Sequence, residues 1–356
     1  MKALTVTPSV PNSATLLEIP EPVVGPGQLL VELICLGVCG TDREILRGDY
    51  GTAPADSPYL IVGHESLGRV VQVAPSASAD FQIGDLVVGI VRHPDPVPCA
   101  NCAVGEWDMC RNGLYTEHGI NQRHGFACER YCLDAEHAVK VDPNLGELGV
   151  LLEPATILAK AWEHIERIGN RAHFAPAKVL VMGAGPVGLL AAMMGRQRGL
   201  AVEVLDQAQT GIKPHLVQAL GANYLTDLSE QSAPSNSYDV VLECTGDATL
   251  VLEAMRLIGP GGVTCLTGVS SGGRMIQLDA GSLNREIVLE NGAIFGSVNA
   301  NRRHYQQAAV ALAAADRQWL GQLITGRNTL ADWSKAFDRQ DGTVKNIITG
   351  PAYSEH

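Results

Sequence analysis

The sequence predicts an α/β protein made of two units, one β-rich and one a doubly wound parallel sheet. Three observations lead there. Residues 1–100 hold short runs of β-branched and apolar residues bounded by Pro, Gly or Asp, whereas the stretch after Lys178 alternates apolar strands with helical patterns. Val179-Leu180-Val181-Met182 runs straight into Gly183-Ala184-Gly185-Pro186-Val187-Gly188 and an apolar helix. Finally, 356 residues with 46% hydrophobic content and 38 glycines suffice for two cores joined by tight strand-to-helix turns.

Composition removes several function classes. A net charge of −12, from 26 basic and 38 acidic residues, disfavours polyanion partners. Aromatic residues at 5% offer little surface for stacking bases, so no nucleic-acid partner is expected. The opening Met1-Lys2-Ala3-Leu4-Thr5 lacks the apolar core of a signal peptide. Residues 179–195 come nearest to a membrane span but are broken by Gly183, Gly185, Pro186 and Gly188, so no membrane partner is expected either. Nine cysteines in such a chain point to a reducing compartment, where thiols serve metals or cores, and a cytoplasmic location is expected.

In chain order, strands are expected over 2–6, 28–36, 66–74 and 85–90, with Gly84-Asp85 a turn before the last. Cys39 follows the second strand where a helix or turn begins, with Thr41 and Asp42 as capping candidates. Cys35 reads as a small core residue. In Leu60-Ile61-Val62-Gly63-His64-Glu65-Ser66-Leu67-Gly68 a histidine and a carboxylate follow an apolar run between glycines. Cys39, His64, Glu65 and the later Glu153-Pro154 supply the thiolate, imidazole and carboxylates that zinc prefers, and they are expected to converge on one catalytic metal.

Residues 94–113 differ from their surroundings and hold Cys99, Cys102 and Cys110 beside Trp107 and Met109. Cys-x2-Cys in a Pro/Gly-rich loop suggests a structural zinc lobe, since a loop without a core needs a staple. Three cysteines leave a tetrahedral set incomplete. Glu106, Asp108, His118, His124 and Cys128 are candidates for the fourth ligand, and a metal-free loop is the alternative. Strands resume over 129–133 and 138–141. A helical pattern then runs from Leu148 towards Gly169, with Leu151, Leu152, Ile157, Leu158, Ala161, Trp162 and Ile165 on one face, linking the two units.

The second unit opens with the strand at 179–182, the glycine turn, a helix to about 198 and a strand over 201–205 that ends in Asp206. Strand, glycine turn, helix, strand and acid in this order form a dinucleotide fingerprint. Its glycines let the backbone approach a pyrophosphate, and the helix N-terminus supplies amide donors. Asp206 can accept from both ribose hydroxyls and would repel a 2′-phosphate, so NAD is expected, with NADP the alternative through Lys213. A helix at 214–220, strands at 222–225 and 239–242, a polar loop at 230–237, a helix at 248–257 and strands at 263–267 and 293–298 continue the alternation. Beyond Asn299 a helix at 305–315 and a tail over 319–351 are expected to fold back onto the first unit. The expected division is 1–175 with 300–356, and 176–299.

The order Cys39-Gly40-Thr41-Asp42, Gly63-His64-Glu65, cysteine lobe, Glu153-Pro154 and glycine turn resembles the zinc-dependent medium-chain dehydrogenases over nearly the whole chain. Within them it is most similar to the glucose 1-dehydrogenase branch, on Arg111-Asn112-Gly113-Leu114-Tyr115-Thr116-Glu117, Leu283-Asn284-Arg285-Glu286-Ile287-Val288-Leu289 and Gly296-Ser297-Val298-Asn299. The resemblance implies a GroES-like catalytic domain, a Rossmann domain, and Zn2+ with NAD or NADP as cofactors. It implies oxidation of an aldose, D-glucose foremost, at C1 to the lactone. Cys39 and His64 would be permanent zinc ligands, with Glu65 or Glu153 completing the set directly or through water, and Thr41 would relay the proton. Thr41, Glu117, Glu153 and Asn299 would touch the sugar. Gly183, Gly185, Pro186, Val187, Gly188, Asp206, Thr245, Gly268, Val298 and Asn299 would bind the dinucleotide. The apolar strand at 294–298 implies a homodimer or homotetramer. Three positions depart from the pattern: Gly105 replaces a lobe cysteine, Arg43 a histidine of some relatives, and Ile157 an aspartate that touches substrate in some. A polyol or alcohol dehydrogenase of the same fold is the nearest alternative reading, and a non-catalytic dinucleotide-binding protein the remote one.

Overall fold

A computed structural model describes residues 1–77, 79–228, 237–270, 272–338 and 342–353; apart from Ser237, the polar loop expected at 230–237 lies outside them. The chain forms two compact units, Met1–Thr156 with Asn299–His356, and Ile157–Val298. The division falls inside the helix Leu152–Gly169.

In the first unit the ten-residue strand Gln28–Gly37 is the spine. It lies between Glu65–Val73 and Lys345–Thr349 in a seven-stranded sheet, which runs from Ala138–Lys140 through Leu86–Gly89 on one side to Ile324–Thr329 on the other. Arg130–Asp134 also pairs with it. A three-stranded sheet of Thr15–Glu18, Lys2–Val6 and Leu60–Ile61 stands apart. Leu29, Val31, Leu33, Leu36, Val70, Val87 and Phe126 join one buried cluster. Each such side chain stabilises the unit by about 1.5–3 kcal/mol relative to exposure.

The two tail strands have no clear signature in the sequence. Ile324–Thr329 has only one fully buried position, and Lys345–Thr349 owes its place to Ile347 and Ile348. Yet Ile347 pairs with Gly37 from one side while Glu65 pairs with it from the other. The returning chain therefore reaches the position next to the His64-Glu65 corner.

The second unit is a six-stranded, wholly parallel sheet. Its order is Asn223–Leu225, Ala201–Leu205, Lys178–Met182, Tyr238–Glu243, Ile258–Leu266 and Ala293–Gly296. In chain order that is 3-2-1-4-5-6, the doubly wound arrangement whose switch point lies beside the first strand. Ala293–Gly296 forms the outer edge and stops before Val298, shorter than the strand expected there. A helix at Ala280–Leu289, unforeseen in the sequence, precedes it. Among the described residues no helix is long and apolar enough to cross a membrane.

Candidate metal centre and active site

Cys39 leaves the strand Gln28–Gly37 and becomes the N-cap of the helix Gly40–Arg47. Asp42, in the first turn, accepts the Cys39 amide at 2.9 Å through Oδ2. Thr41 sits one position earlier, so Asp42 performs the capping for which both residues were candidates. The cap fixes the Cys39 side chain, and its Sγ lies 3.2 Å from His64 Nε2. On the other ring edge, His64 Nδ1 stands 3.2 Å from Asp42 Oδ1, without the alignment of a good hydrogen bond. A carboxylate behind a ligating histidine orients the ring and raises its basicity.

Glu65 completes the corner. One ligand atom from each of Cys39, His64 and Glu65 lies within 4.8 Å of the others. Donors of a tetrahedral zinc stand about 3.5 Å apart, as bond lengths of about 2.0–2.3 Å require, so this sulfur, nitrogen and oxygen set fits Zn2+. The Glu65 carboxylate also forms an ion pair with Lys345, and both side chains are almost wholly buried. Burial pushes the Lys345 ammonium down, but Glu65 and Cys39 more than offset it and hold it above the usual lysine value. Gly37 is obligatory beneath this pair, because a Cβ there would strike Glu65 Oε2 and Lys345 Cε.

Glu153 opens the helix Leu152–Gly169 and is buried. It does not join the group of converging ligand atoms, but it feels the charges of His64, Glu65, Lys345 and Asp42. Burial, opposed by His64, pushes its carboxyl up to about 7. Tyr305, fully buried on the helix Arg302–Ala313, accepts the Val91 amide at 3.1 Å.

Glu117 belongs to the short strand Thr116–His118 and lies opposite Arg92 in the antiparallel pair with Arg92–His93. It is buried, and Asn299 Nδ2 donates to its Oε1 at 2.7 Å. Asn299 holds a left-handed backbone, φ 62°, and its own Oδ1 accepts the Ala300 amide. The structure thus brings Glu117 and Asn299 together in the first unit.

In the lobe, Cys99, Cys102 and Cys110 converge within 4.8 Å. Cys99 Sγ accepts the amides of Cys102 and Arg111, which pull its thiol down to about 6. No fourth donor among the described residues joins them within that distance. His118 Nδ1 donates to the His124 carbonyl and its Nε2 meets His93, while His124 Nδ1 accepts the Ile61 amide. Cys128 donates to the Arg130 carbonyl, Asp108 accepts from Asn301, and Glu106 faces Arg303. Each of the five candidates is therefore engaged elsewhere.

In the second unit Gly183 takes φ 104°, and Gly185 caps the helix Pro186–Gln197 with Pro186 at its first position and no side chain on its amides. A Cβ at Gly185 would meet nothing within 4 Å, whereas one at Gly188 would strike the Gly183 carbonyl. Open space before bare helix amides is what a pyrophosphate needs. Asp206 accepts the amides of Ala184 at 2.8 Å and Ala208 at 3.1 Å, and Lys213 Nζ lies 3.0 and 3.2 Å from its two oxygens. Burial pushes this carboxyl up, but the two amides and Lys213 outweigh it and hold it below the usual range. Thr245 and Gly268 are organised by Glu243, which accepts the Thr245 amide and, through its carbonyl, the Gly268 amide. Val298 is exposed, and its carbonyl accepts from the buried Lys160.

Sequence reasoning missed Asp42 as a partner of His64, and it missed Lys345, Arg92, Tyr305 and Glu243. Only Asp42 carried a local signal, through its spacing from Cys39.

Two family models match the chain, "Alcohol dehydrogenase GroES-like domain" over residues 25–143 and "Glucose dehydrogenase C-terminus" over residues 146–349. A glucose 1-dehydrogenase of Thermoproteus tenax is 40% identical over 354 residues, 98% of this chain and 99% of that protein. One from Methanocella arvoryzae is 36% identical over 91% of each chain. Among solved structures, glucose dehydrogenase of Haloferax mediterranei in complex with NADP, Zn and gluconolactone superposes with a TM-score of 0.89 at 30% identity, covering 100% of both chains.

Proposed function

The chain belongs to the zinc-dependent medium-chain dehydrogenases, in their glucose 1-dehydrogenase branch, and on that footing we propose that it oxidises D-glucose at C1 to the aldonolactone with NAD or NADP as hydride acceptor. The observation that carries this reading is the convergence of Cys39, His64 and Glu65 within 4.8 Å, in a chain whose second unit presents bare helix amides behind Gly185. When bound, Zn2+ lowers the pKa of a substrate hydroxyl as a Lewis acid and the nicotinamide accepts hydride.

The chain's own residues do the rest. Cys39, His64 and Glu65 hold the metal, with Asp42 orienting His64 and Lys345 balancing the charge of Glu65. Glu153, with its carboxyl raised to about 7, is suited to exchange a proton near neutrality, and Thr41 relays it towards solvent. Glu117 and Asn299 accept and donate hydrogen bonds to the sugar. Gly183, Gly185, Pro186, Val187 and Gly188 cradle the pyrophosphate, Asp206 and Lys213 face the adenosine ribose, and Thr245, Gly268 and Val298 line the remainder. The three lobe cysteines would supply three of the four donors of a structural zinc, which would staple the loop. The chain works in the cytoplasm as a homodimer or homotetramer.

Initial rates with D-glucose, D-galactose, D-xylose and simple alcohols against both dinucleotides test the reading. Aldose turnover that disappears in Cys39→Ala and His64→Ala, while dinucleotide binding persists, is the expected result. Turnover confined to alcohols or polyols would overturn it.

A further inference from the structure

Arg92 is a heavily engaged buried side chain that the proposed mechanism does not use. It stands directly opposite Glu117 across two paired strands, so both side chains project from the same face. Its Nε donates to Glu117 Oε1 at 3.0 Å, and Nη2 makes an ion-pair contact with the same oxygen at 2.9 Å. Its third arm, Nη1, donates to the Asp108 carbonyl at 3.1 Å, and the guanidinium lies 3.7 Å over the Tyr115 ring. Both partners are nearly inaccessible, with Arg92 7% and Glu117 4% exposed.

The asymmetry is informative. Oε1 takes one donor from Arg92 and a second from Asn299, which occupy both of its lone pairs and leave none for a ligand. Oε2 receives no donor among the described residues, although it shares the same carboxylate. A pair serving only stability would use both oxygens in the parallel fork that arginine and carboxylate favour. Here the guanidinium faces one oxygen, and the other is left as an acceptor held in a fixed place. We propose that Arg92 is a positioning residue for sugar recognition: it clamps Glu117 Oε1 so that Oε2 reads one hydroxyl of the aldose. The inference rests on the aldose reading above.

A site built this way rejects a sugar lacking that hydroxyl, because the buried acceptor is left unpaired. Lysine at position 92 keeps the charge but lacks the rigid planar fork that reaches Glu117 Oε1 and the Asp108 carbonyl at once. The test measures kcat and KM of the zinc-loaded enzyme for D-glucose and its 2-, 3- and 6-deoxy analogues, in wild type, Arg92→Lys, Glu117→Gln and the double variant. Thermal melting and dinucleotide binding are followed in parallel. Wild type is expected to reject one analogue, and Arg92→Lys to lose about 10²-fold in kcat/KM for glucose, as misplacement of a positioning group does. The loss against the rejected analogue is expected to be much smaller, so discrimination collapses. The double variant is expected to be no worse than Glu117→Gln alone, since Arg92 acts through Glu117.

Unchanged discrimination in Arg92→Lys would overturn the proposal, as would multiplicative losses in the double variant. A wild type that turns over no aldose would overturn the aldose reading itself, and this proposal with it. A wild type that discriminates while Arg92→Lys discriminates equally would remove only the role of Arg92. A merely structural arginine would lower melting temperature and affect all analogues alike.

Discussion

Lys213→Ala is expected to separate the two dinucleotides. In the folded chain Lys213 Nζ sits 3.0 and 3.2 Å from the oxygens of Asp206, so the carboxylate at the end of the second parallel strand is neutralised. An unneutralised Asp206 would repel a 2′-phosphate, which carries a charge of about −1.5 to −2 at pH 7. With Lys213 present, the same phosphate meets an ammonium. The lysine side chain is 21% exposed, so water screens part of the interaction. A hydrogen bond between charged groups contributes about 1.5–3 kcal/mol, and screening reduces that to about 1–2 kcal/mol. This corresponds to about 5- to 30-fold in Kd. Isothermal titration of the zinc-loaded protein should therefore show NADP affinity falling by about that factor in Lys213→Ala, while NAD affinity changes less than about threefold. The NADP loss should shrink at high salt, because a partly exposed charge pair is screened. Equal changes for both dinucleotides, or no change for either, would refute this account of the pocket.

Two further outcomes follow from buried charge. His118 Nδ1 donates to the His124 carbonyl, so its Nε2 must accept from His93 Nε2, and His137 stacks on His93 at 3.7 Å; the described network uses neutral rings. Burial holds the imidazoles of His93, His118 and His137 below the usual value, His118 at about 3, so their contribution is present above the unfolded pKa near 6.5 and is lost as pH falls below it. His118 contributes about 2 kcal/mol of the stability lost between pH 7 and 5, and urea denaturation of His118→Phe should show a pH dependence smaller by that amount; an unchanged dependence would sink the idea. Lys345→Met leaves Glu65 charged in a buried site and should cost about 3–5 kcal/mol in the same assay, with Glu65→Gln added to Lys345→Met recovering part of it. A cost under about 1 kcal/mol would mean that Glu65 is not held as an ion there.

The dinucleotide turn was legible because its requirements are local. An apolar strand, glycines at fixed spacing and a terminal acid are all set by one βαβ unit, and the 3-2-1-4-5-6 sheet follows from the same alternation. The residue types of the metal corner were legible for a similar reason, since Cys39 and His64-Glu65 each stand where a strand meets a turn or another strand. Choosing between Glu65 and Glu153 as the third candidate ligand needed coordinates. Glu65 and Glu153 are chemically equal in a sequence, and only their placement distinguishes one that joins the donor group from one that sits apart with a raised carboxyl. The tail strands were illegible because a six-residue run such as Ile324–Thr329 buries one side chain fully and takes its conformation from the sheet it joins. Arg92 could not be read as a partner of Glu117, because cross-strand register over two- and three-residue strands leaves no periodic trace.

The missed residues of the first unit come from two separate passes of the chain through it. Most of the chemical groups come from the first pass: Cys39, His64, Glu65 and Glu117. Several of the groups that fix them come from the last: Lys345 on Glu65 and Asn299 on Glu117. Asn301 on Asp108 and Tyr305 on the Val91 amide repeat the arrangement one layer out. A buried carboxylate without a partner costs several kcal/mol, and Lys345 on the last pass supplies that partner to Glu65. Glu65 and Glu117 therefore each draw one fixing partner from the last pass of the chain. Two carboxylates of the first pass thus depend on the same late segment for the partners that hold them in place.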